Sequence, residues 1–378
     1  MRNVILLLLA IVLIPSCNNP ENKKKSRTNE GIPSYTIGMN LCLSGNGSYY
    51  SEELKKGLDL TFDFVAQSKD KINIEVIYED NKLNPKDAVS ITKKFIEIDK
   101  VDIILSAYTP IIQATAGLAA SSEVPMLATI SSLDQISGDR DWVFRDFAME
   151  SQTMPLLASF AYSGLNLRSG SYMVVNDDMG NDAVRFFNDK FSELGGTFEG
   201  GELFDAGDLD LRNKISKVLE KNPEFILVMG RGASMINACR QIRERDAKIP
   251  ILGNNTMDNE TVWDALDESG NNFWFPRPYI DLKSNRYIRA NERFIEKYGH
   301  KLNWLNIYGI SIANYLAHGL KESGGDKQLL KSYLKTLNVQ SIRGTLIMND
   351  DSDVEMPHVI CERKNGQSIV IEFPKKNN

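Results

Sequence analysis

Between Asn40 and Leu60 the chain reads NLCLSGNGSYYSEELKKGLDL. An apolar strand runs into a Gly/Ser loop, and a helix begins at once. That layout is shared with nucleotide-phosphate sites, so the loop has to be tested against their motifs. A phosphate clamp needs G-x-G-x-x-G or G-x-x-x-x-G-K-[ST]. Gly45 and Gly47 supply the first half of the former, but Tyr50 stands where the third glycine belongs, and no Lys-Ser/Thr pair follows. What remains is a set of backbone N–H groups and hydroxyls at a helix start, which suits a small anion or a polar ligand head.

Working outward, strand and helix patterns alternate from Tyr35 onward. Tyr35–Leu43 reads as a strand, and Leu54, Leu58, Phe62 and Val65 mark one face of the helix after it. Ile72, Ile74, Val76 and Tyr78 alternate as in a strand. Asn84-Pro85 combines an N-cap with proline at the first helical position. Val101–Leu105 is a short apolar run of the kind buried on both faces of a parallel sheet, and a small-residue helix over 113–121 leads to Pro125–Ala128. Then the plan restarts: strand Ser171–Val175, a helix ended by Gly195-Gly196, strand Thr197–Leu203, a helix on Leu211, Ile215, Val218 and Leu219, strand Phe225–Met229, helix Ala233–Arg245 and strand Ile249–Leu252. Two such runs predict two doubly wound lobes, with the break between Arg145 and Gln152. Three helical patterns follow from Ser284 to Asn338. Gly344–Met348 and His358–Phe373 read as closing strands, the latter turning at Asn365-Gly366. A cleft outside the carboxyl ends of both sheets is where such folds bind ligands.

A length of 378 residues fits two cores better than one. The formal net charge of −6 argues against a nucleic-acid binder, which carries a basic face. At the N-terminus, Arg2 precedes the apolar run from Val4 to Leu13, too short to span a bilayer and of export-signal length. Ser16-Cys17 at its end resembles a bacterial lipobox, so residues 1–16 are expected to be a signal peptide and Cys17 the lipid attachment site. The segment after it, NNPENKKKSRTNEGIP, is polar and aperiodic, and residues 17–33 are expected to form the lipidated cysteine and a flexible tether. Cys42, Cys239 and Cys361 each lie in an apolar context, and three cysteines cannot all pair within one chain, so free buried thiols are expected.

The ordered set IGMNLCLSGNGSYYSEELKKGLDL, YEDNKLNPKDAV, DKVDIILSAYTP, VPMLATISS, VFRD, DDMGND and IPILGNN, running from Ile37 to about Phe373, resembles the leucine/isoleucine/valine-binding type of periplasmic binding protein. This is the type I fold of substrate-binding lipoproteins for ABC importers. The resemblance implies an α/β fold of two Rossmann-like doubly wound lobes joined by a three-crossing hinge. Lobe one is expected over residues 34–147 and 278–340, and lobe two over 148–277 and 341–374.

In that family the loops after the third and fourth strands of lobe one grip a ligand carboxylate. Here they fall at Tyr108, Thr109 and Pro110 and at Ile130, Ser131 and Ser132. Pro110 has no N–H, so Thr109 must carry the grip there. In the opening loop Ser44, Tyr49 and Tyr50 are expected to face the same cleft, and the resemblance places Tyr50 at the family's aromatic position. Lobe two departs from the pattern: Met179 stands before Gly180 where an aromatic residue is usual, Gly232 replaces a tyrosine, and Asn255 replaces the acid that binds a ligand ammonium. Asn255 can accept a hydrogen bond but cannot neutralise a buried charge. Asp258, Asp177 and Asp178 are the nearest substitutes, each also explicable as a capping or solvated acid.

The expected function is therefore an extracytoplasmic lipoprotein that binds a small polar solute, amino-acid-like, amide or related organic acid. Its partners would be an ABC permease and ATPase or a membrane receptor, with membrane contact through the N-terminal lipid and no nucleic acid. The alternative is a sensor that reports occupancy to that receptor. No cofactor or metal is implied: His300, His318 and His358 lie far apart, without H-E-x-x-H or Cys/His ligand spacing, and there is no G-x-S-x-G elbow. An enzyme is not expected.

Overall fold

The structure is a computed structural model that describes residues 28–29, 31–45, 47–68, 71–132, 136, 141–230, 232–258, 260–266 and 270–371. The expected signal peptide, Cys17 and most of the tether lie outside these residues. The end of that tether is corrected: β1 (Thr28–Asn29) pairs antiparallel with the head of β2 (Ile32–Leu41). The turn between them passes through Gly31 at φ +82°, which glycine adopts without a Cβ penalty.

The first lobe continues with α1 (Ser48–Gln67), β3 (Asn73–Asp80), α2 (Pro85–Lys94), β4 (Ile103–Ala107), α3 (Thr109–Ser121), β5 (Met126–Thr129) and β6 (Val143–Arg145). Strands β3, β2, β4, β5 and β6 lie side by side in that order, all parallel. The second lobe follows as α4 (Glu150–Ser159), β7 (Ser169–Val175), α5 (Asp178–Glu193), β8 (Thr197–Phe204), α6 (Arg212–Leu219), β9 (Phe225–Met229), α7 (Gly232–Arg245), β10 (Ile251–Leu252), α8 (Glu260–Leu266) and β11 (Phe273–Pro278). Its parallel strands take the order β8, β7, β9, β10, β11, the same winding as the first lobe. Every residue of β4 and of β9 is buried, as strands covered by helices on both faces require.

The chain then returns to lobe one with α9 (Asn285–Tyr298), α10 (Trp304–Ser323), α11 (Lys327–Lys335) and a small antiparallel sheet of β12 (Asn338–Ser341), β13 (Gly344–Met348) and β14 (Val354–Glu355). It ends in lobe two as the hairpin β15 (His358–Lys364) and β16 (Gln367–Ile371), laid antiparallel against β11. Helix α10 presses its backbone onto α1 through two facing glycines. A Cβ on Gly57 would sit 2.1 Å from the Asn306 carbonyl, and one on Gly309 would sit 2.2 Å from the Leu54 carbonyl.

One expected boundary moves. Residues 341–356 belong to the first lobe, because Leu346, Met348, Val354 and Met356 complete its core beside Leu105 and Phe144. The hairpin β12–β13 folds the chain back onto lobe one before the last crossing leaves it.

The crossings are held by charge. Arg145, fully buried, forks onto Asp353 with Nε–Oδ1 and Nη2–Oδ2 distances of 2.7 and 2.8 Å. The adjacent Asp146, also fully buried, receives both arms of Arg343 at 2.8 and 2.6 Å and the Tyr315 hydroxyl at 3.0 Å. The Arg343 guanidinium lies 4.1 Å from the centre of the Tyr308 ring. Backbone bonds follow the same seam, from Arg145 N–H to Ser352 O and from Tyr279 N–H to Pro357 O. Two consecutive residues at the first crossing thus fasten the segment that becomes the third. Cys42, Cys239 and Cys361 are free and buried, and burial pushes the thiols of Cys239 and Cys361 up to about 12.

Candidate functional site

In both lobes the strand order reverses beside the first strand of the unit, so the carboxyl edge opens a crevice there. Strands β6 and β11 also leave their sheets at this edge, directly into crossings, so both edges flank the hinge. The candidate residues distribute over them with a plain symmetry. Ser44, Tyr49 and Tyr50 follow β2, as Met179 follows β7. Tyr108 and Thr109 follow β4, as Gly232 follows β9. Ile130, Ser131 and Ser132 follow β5, as Asn255 follows β10.

Lobe one builds its half rigidly. Tyr108 adopts φ +74° and ψ 133° at the cap of α3, and Ile130 adopts φ +49° at the end of β5. Side-chain-bearing residues in such regions carry about 1–3 kcal/mol of strain each and persist only when their surroundings over-determine them. The constraints are visible. The Tyr108 hydroxyl donates to the Gly47 carbonyl, and its N–H donates to Thr129 O at 3.2 Å. Thr129 Oγ1 donates in turn to the Asp146 carbonyl at 3.0 Å, joining the site to the hinge. Burial raises the Tyr108 phenol above its ordinary value, so it remains a neutral donor. Thr109 Oγ1 and the buried Ser131 Oγ are 2.8 Å apart, two hydroxyls at the mouth of α3. Ser132 is half-buried beside them.

The opening loop divides its candidates. Ser44 is exposed, and its hydroxyl donates to Asp80 Oδ2 at 2.5 Å while Leu43 N–H donates to Oδ1 at 2.9 Å. Partial burial opposes ionisation of Asp80, yet the hydrogen bonds from Ser44, Lys82 and Leu43 outweigh it and hold the carboxyl below its usual range. Ser44 is thereby committed to loop structure. Tyr49 is 41% exposed, whereas Tyr50 is half-buried against the lobe-one core, its ring centre 6.4 Å from that of Trp304. Trp304 is 6.2 Å from Phe147, on the first crossing, and 5.9 Å from Tyr308. This aromatic chain from hinge to loop was not foreseen; its signal is Asn303-Trp304, where the Asn303 side chain caps α10 and sets the indole at the helix's first turn.

Lobe two offers a different surface. Asn254 Nδ2 approaches Met179 Sδ at 3.8 Å, and Thr256 Oγ1 donates to Gly230 O at 3.3 Å. The turn carrying Asn255 therefore ties the end of β10 to the two neighbouring strand–helix junctions. Asn255 is 9% exposed, and its buried amide nitrogen has no hydrogen-bond partner. Gly232 opens α7 at φ +57° with nothing within 4 Å of a built Cβ. The alternative acids are occupied or solvated. Asp258 is paired with Arg277 at 3.1 Å and accepts from Ser368 at 3.0 Å. Asp177 caps α5 by accepting from Gly180 N–H at 3.0 Å, and Asp178 is exposed. Among the described residues no group of three or more His, Cys, Asp or Glu could hold a metal ion.

Two doubly wound lobes, hinged by three crossings and presenting complementary loops at their carboxyl edges, define a two-lobed solute-binding protein. The family model described as periplasmic binding protein matches residues 34–362, and the chain belongs to that family, with its type I fold. Solved structures agree on the fold. A leucine-binding protein from Thermotoga maritima shares 22% identity with a TM-score of 0.81, covering 89% of this chain and 98% of its own. A branched-chain amino acid transporter substrate-binding protein from Streptococcus pneumoniae, solved with isoleucine, gives 21% and 0.80 over 89% and 99%. A solute-binding protein of an ABC transporter from Rhodopseudomonas palustris, solved with 3,4-dihydroxybenzoic acid, gives 19% and 0.80 over 90% and 96%. No curated protein matches the chain. Among the described residues no helix is long and apolar enough to cross a membrane.

Proposed function

We propose that the protein is an extracytoplasmic lipoprotein, anchored through Cys17, that binds a small polar solute between its lobes and delivers it to an ABC importer. The observation that carries this reading is the pair of strained residues, Tyr108 and Ile130, on adjacent strand ends at the carboxyl edge of sheet one. Strain of this kind is retained where a backbone must present a ligand surface. The ligands are amino-acid-like compounds, amides or related organic acids. The range is supported by the isoleucine held by the Streptococcus pneumoniae protein and by the benzoic acids held by Rhodopseudomonas palustris proteins of the same fold. Tyr50, Thr109, Ser131 and Ser132 are the contacts proposed in lobe one, and Met179, Gly232 and Asn255 those in lobe two.

A thermal-shift screen of amino acids, amides, keto acids and hydroxybenzoates tests the reading. A saturable rise in melting temperature with at least one compound is expected, and silence across all four classes would refute it. Anchoring is tested separately: Cys17→Ser should move the protein from the membrane to the soluble fraction, and unchanged membrane retention would refute the lipid.

A further inference from the structure

We infer that the ligand is an organic anion with no ammonium group: a carboxylate that carries a neutral oxygen, such as a keto or hydroxyl, toward lobe two. This rests on the cleft reading above and narrows it by charge. Lobe one offers the first turn of α3 with the hydroxyls of Thr109 and Ser131 lying 2.8 Å apart; one hydrogen is spent on the bond between them and the other is left to donate to a carboxylate. Lobe two offers Asn255, whose buried amide donors lack an acceptor. An unmet buried donor is satisfied by a ligand oxygen and left unsatisfied by a ligand ammonium, which is itself only a donor.

The charge balance points the same way. Burying an ammonium requires a carboxylate partner. At this edge Asp258 is neutralised by Arg277, Asp177 is spent on the cap of α5, and Asp178 stands in solvent. Asn255 and its neighbours Met179 and Asn254 bring no negative charge. A keto or hydroxy acid brings an acceptor to the unmet Asn255 amide nitrogen; the matching amino acid brings it a second donor.

The experiment is calorimetric titration of the full chain with matched pairs: 4-methyl-2-oxopentanoate against leucine, and 2-oxo-3-phenylpropanoate against phenylalanine. A preference of at least about tenfold for the oxo acids is expected, reflecting an unpaired ammonium in the closed site. Asn255→Asp should reverse the order, and Asp178→Asn should leave it unchanged. Amino acids binding the unaltered protein as tightly as their oxo partners would overturn the inference while leaving the cleft reading intact. An oxo-acid preference that survives Asn255→Asp would also overturn it, since Asn255 would not be the discriminating group. If neither series binds either protein, the inference falls, and the broader screen decides the cleft.

Discussion

The hinge pair Arg145–Asp353 gives the sharpest energetic prediction. Both side chains are almost wholly buried, and their two contacts of 2.7 and 2.8 Å form a bidentate fork. Replacing Asp353 by leucine strands a guanidinium without its counter-charge, and replacing Arg145 by methionine strands a carboxylate. Removing one partner of a buried pair costs about 3–5 kcal/mol, whereas replacing both by apolar groups of similar volume is near neutral or stabilising. The unfolding entropy is about 2.1 cal/mol/K per residue. Over the 34–362 span each kcal/mol then shifts the melting temperature by about 1.4 °C. Each single variant should therefore melt about 4–7 °C lower, and Arg145→Met/Asp353→Leu should return to within about 2 °C of the parent. Differential scanning calorimetry on the four proteins closes the cycle. Additive losses, with the double variant melting at the sum of the singles, would refute the claim that these residues are coupled across the hinge.

Three further outcomes follow from particular contacts. His358 opens β15 at the hinge, and burial, aided by the nearby Arg343 charge and only partly opposed by a backbone hydrogen bond at Met356, lowers its pKa from 6.5 to about 4. Between those values the unfolded chain takes up a proton that the folded chain refuses, so stability falls as pH drops from 6.5 toward 4, by at most about 3 kcal/mol. His358→Gln should flatten that part of the stability–pH curve; an unchanged slope would count against it. Gly57→Ala drives a methyl into the Asn306 carbonyl and should cost about 1–3 kcal/mol or more by urea denaturation, since neither helix backbone can yield freely. Ser131→Ala should weaken ligand binding about tenfold through a lost buried hydrogen bond, while Ser44→Ala should leave affinity within about twofold, because that hydroxyl serves Asp80. Equal losses in both would show that the opening loop also grips the ligand through Ser44.

Much of the architecture was legible because its signals are local. Phe225–Met229 and Gly344–Met348 are the observed bounds of β9 and β13, and the side chain of Asn84 does cap α2 at Lys86 N–H. What escaped is tertiary. Strand β6 is three residues long and ends in an arginine, which reads as polar, and its charge is cancelled by Asp353, 208 positions away. The boundary near residue 341 failed for a similar reason. Nothing in GTLIM states which lobe its apolar face will cover; the pairing of β13 with β12 decides it. In the candidate site, residue order along the chain located the loops, but the fate of each polar group depended on partners. Ser44 was drawn to Asp80 and Asp258 to Arg277, over separations of 36 and 19 residues. The left-handed backbone at Tyr108 and Ile130 could not be read at all, because neither side chain favours it.

That last point bears on how the two halves of the site divide the work. A sequence selected for folding alone would place glycine or asparagine at φ +74° and φ +49°. Tyrosine at 108 has a compensating role: its hydroxyl bonds the Gly47 carbonyl, tying the loops after β2 and β4 together, and its N–H holds Thr129, which reaches Asp146 in the hinge. Thr109 and Ser131 add the link between the loops after β4 and β5. Lobe one is thus cross-braced, and a ligand bound at the proposed contacts would order little that is not already ordered. In lobe two the turn carrying Asn255 is tied by Thr256, whose hydroxyl bonds Asn254 Oδ1 at 2.5 Å and Gly230 O at 3.3 Å, yet the Asn255 amide nitrogen is left unmet. The unsatisfied group thus sits on the side opposite the strained pair of lobe one. In the proposed cleft a ligand oxygen at Asn255 would relieve that cost, and the relief would favour closure independently of how tightly lobe one held a carboxylate.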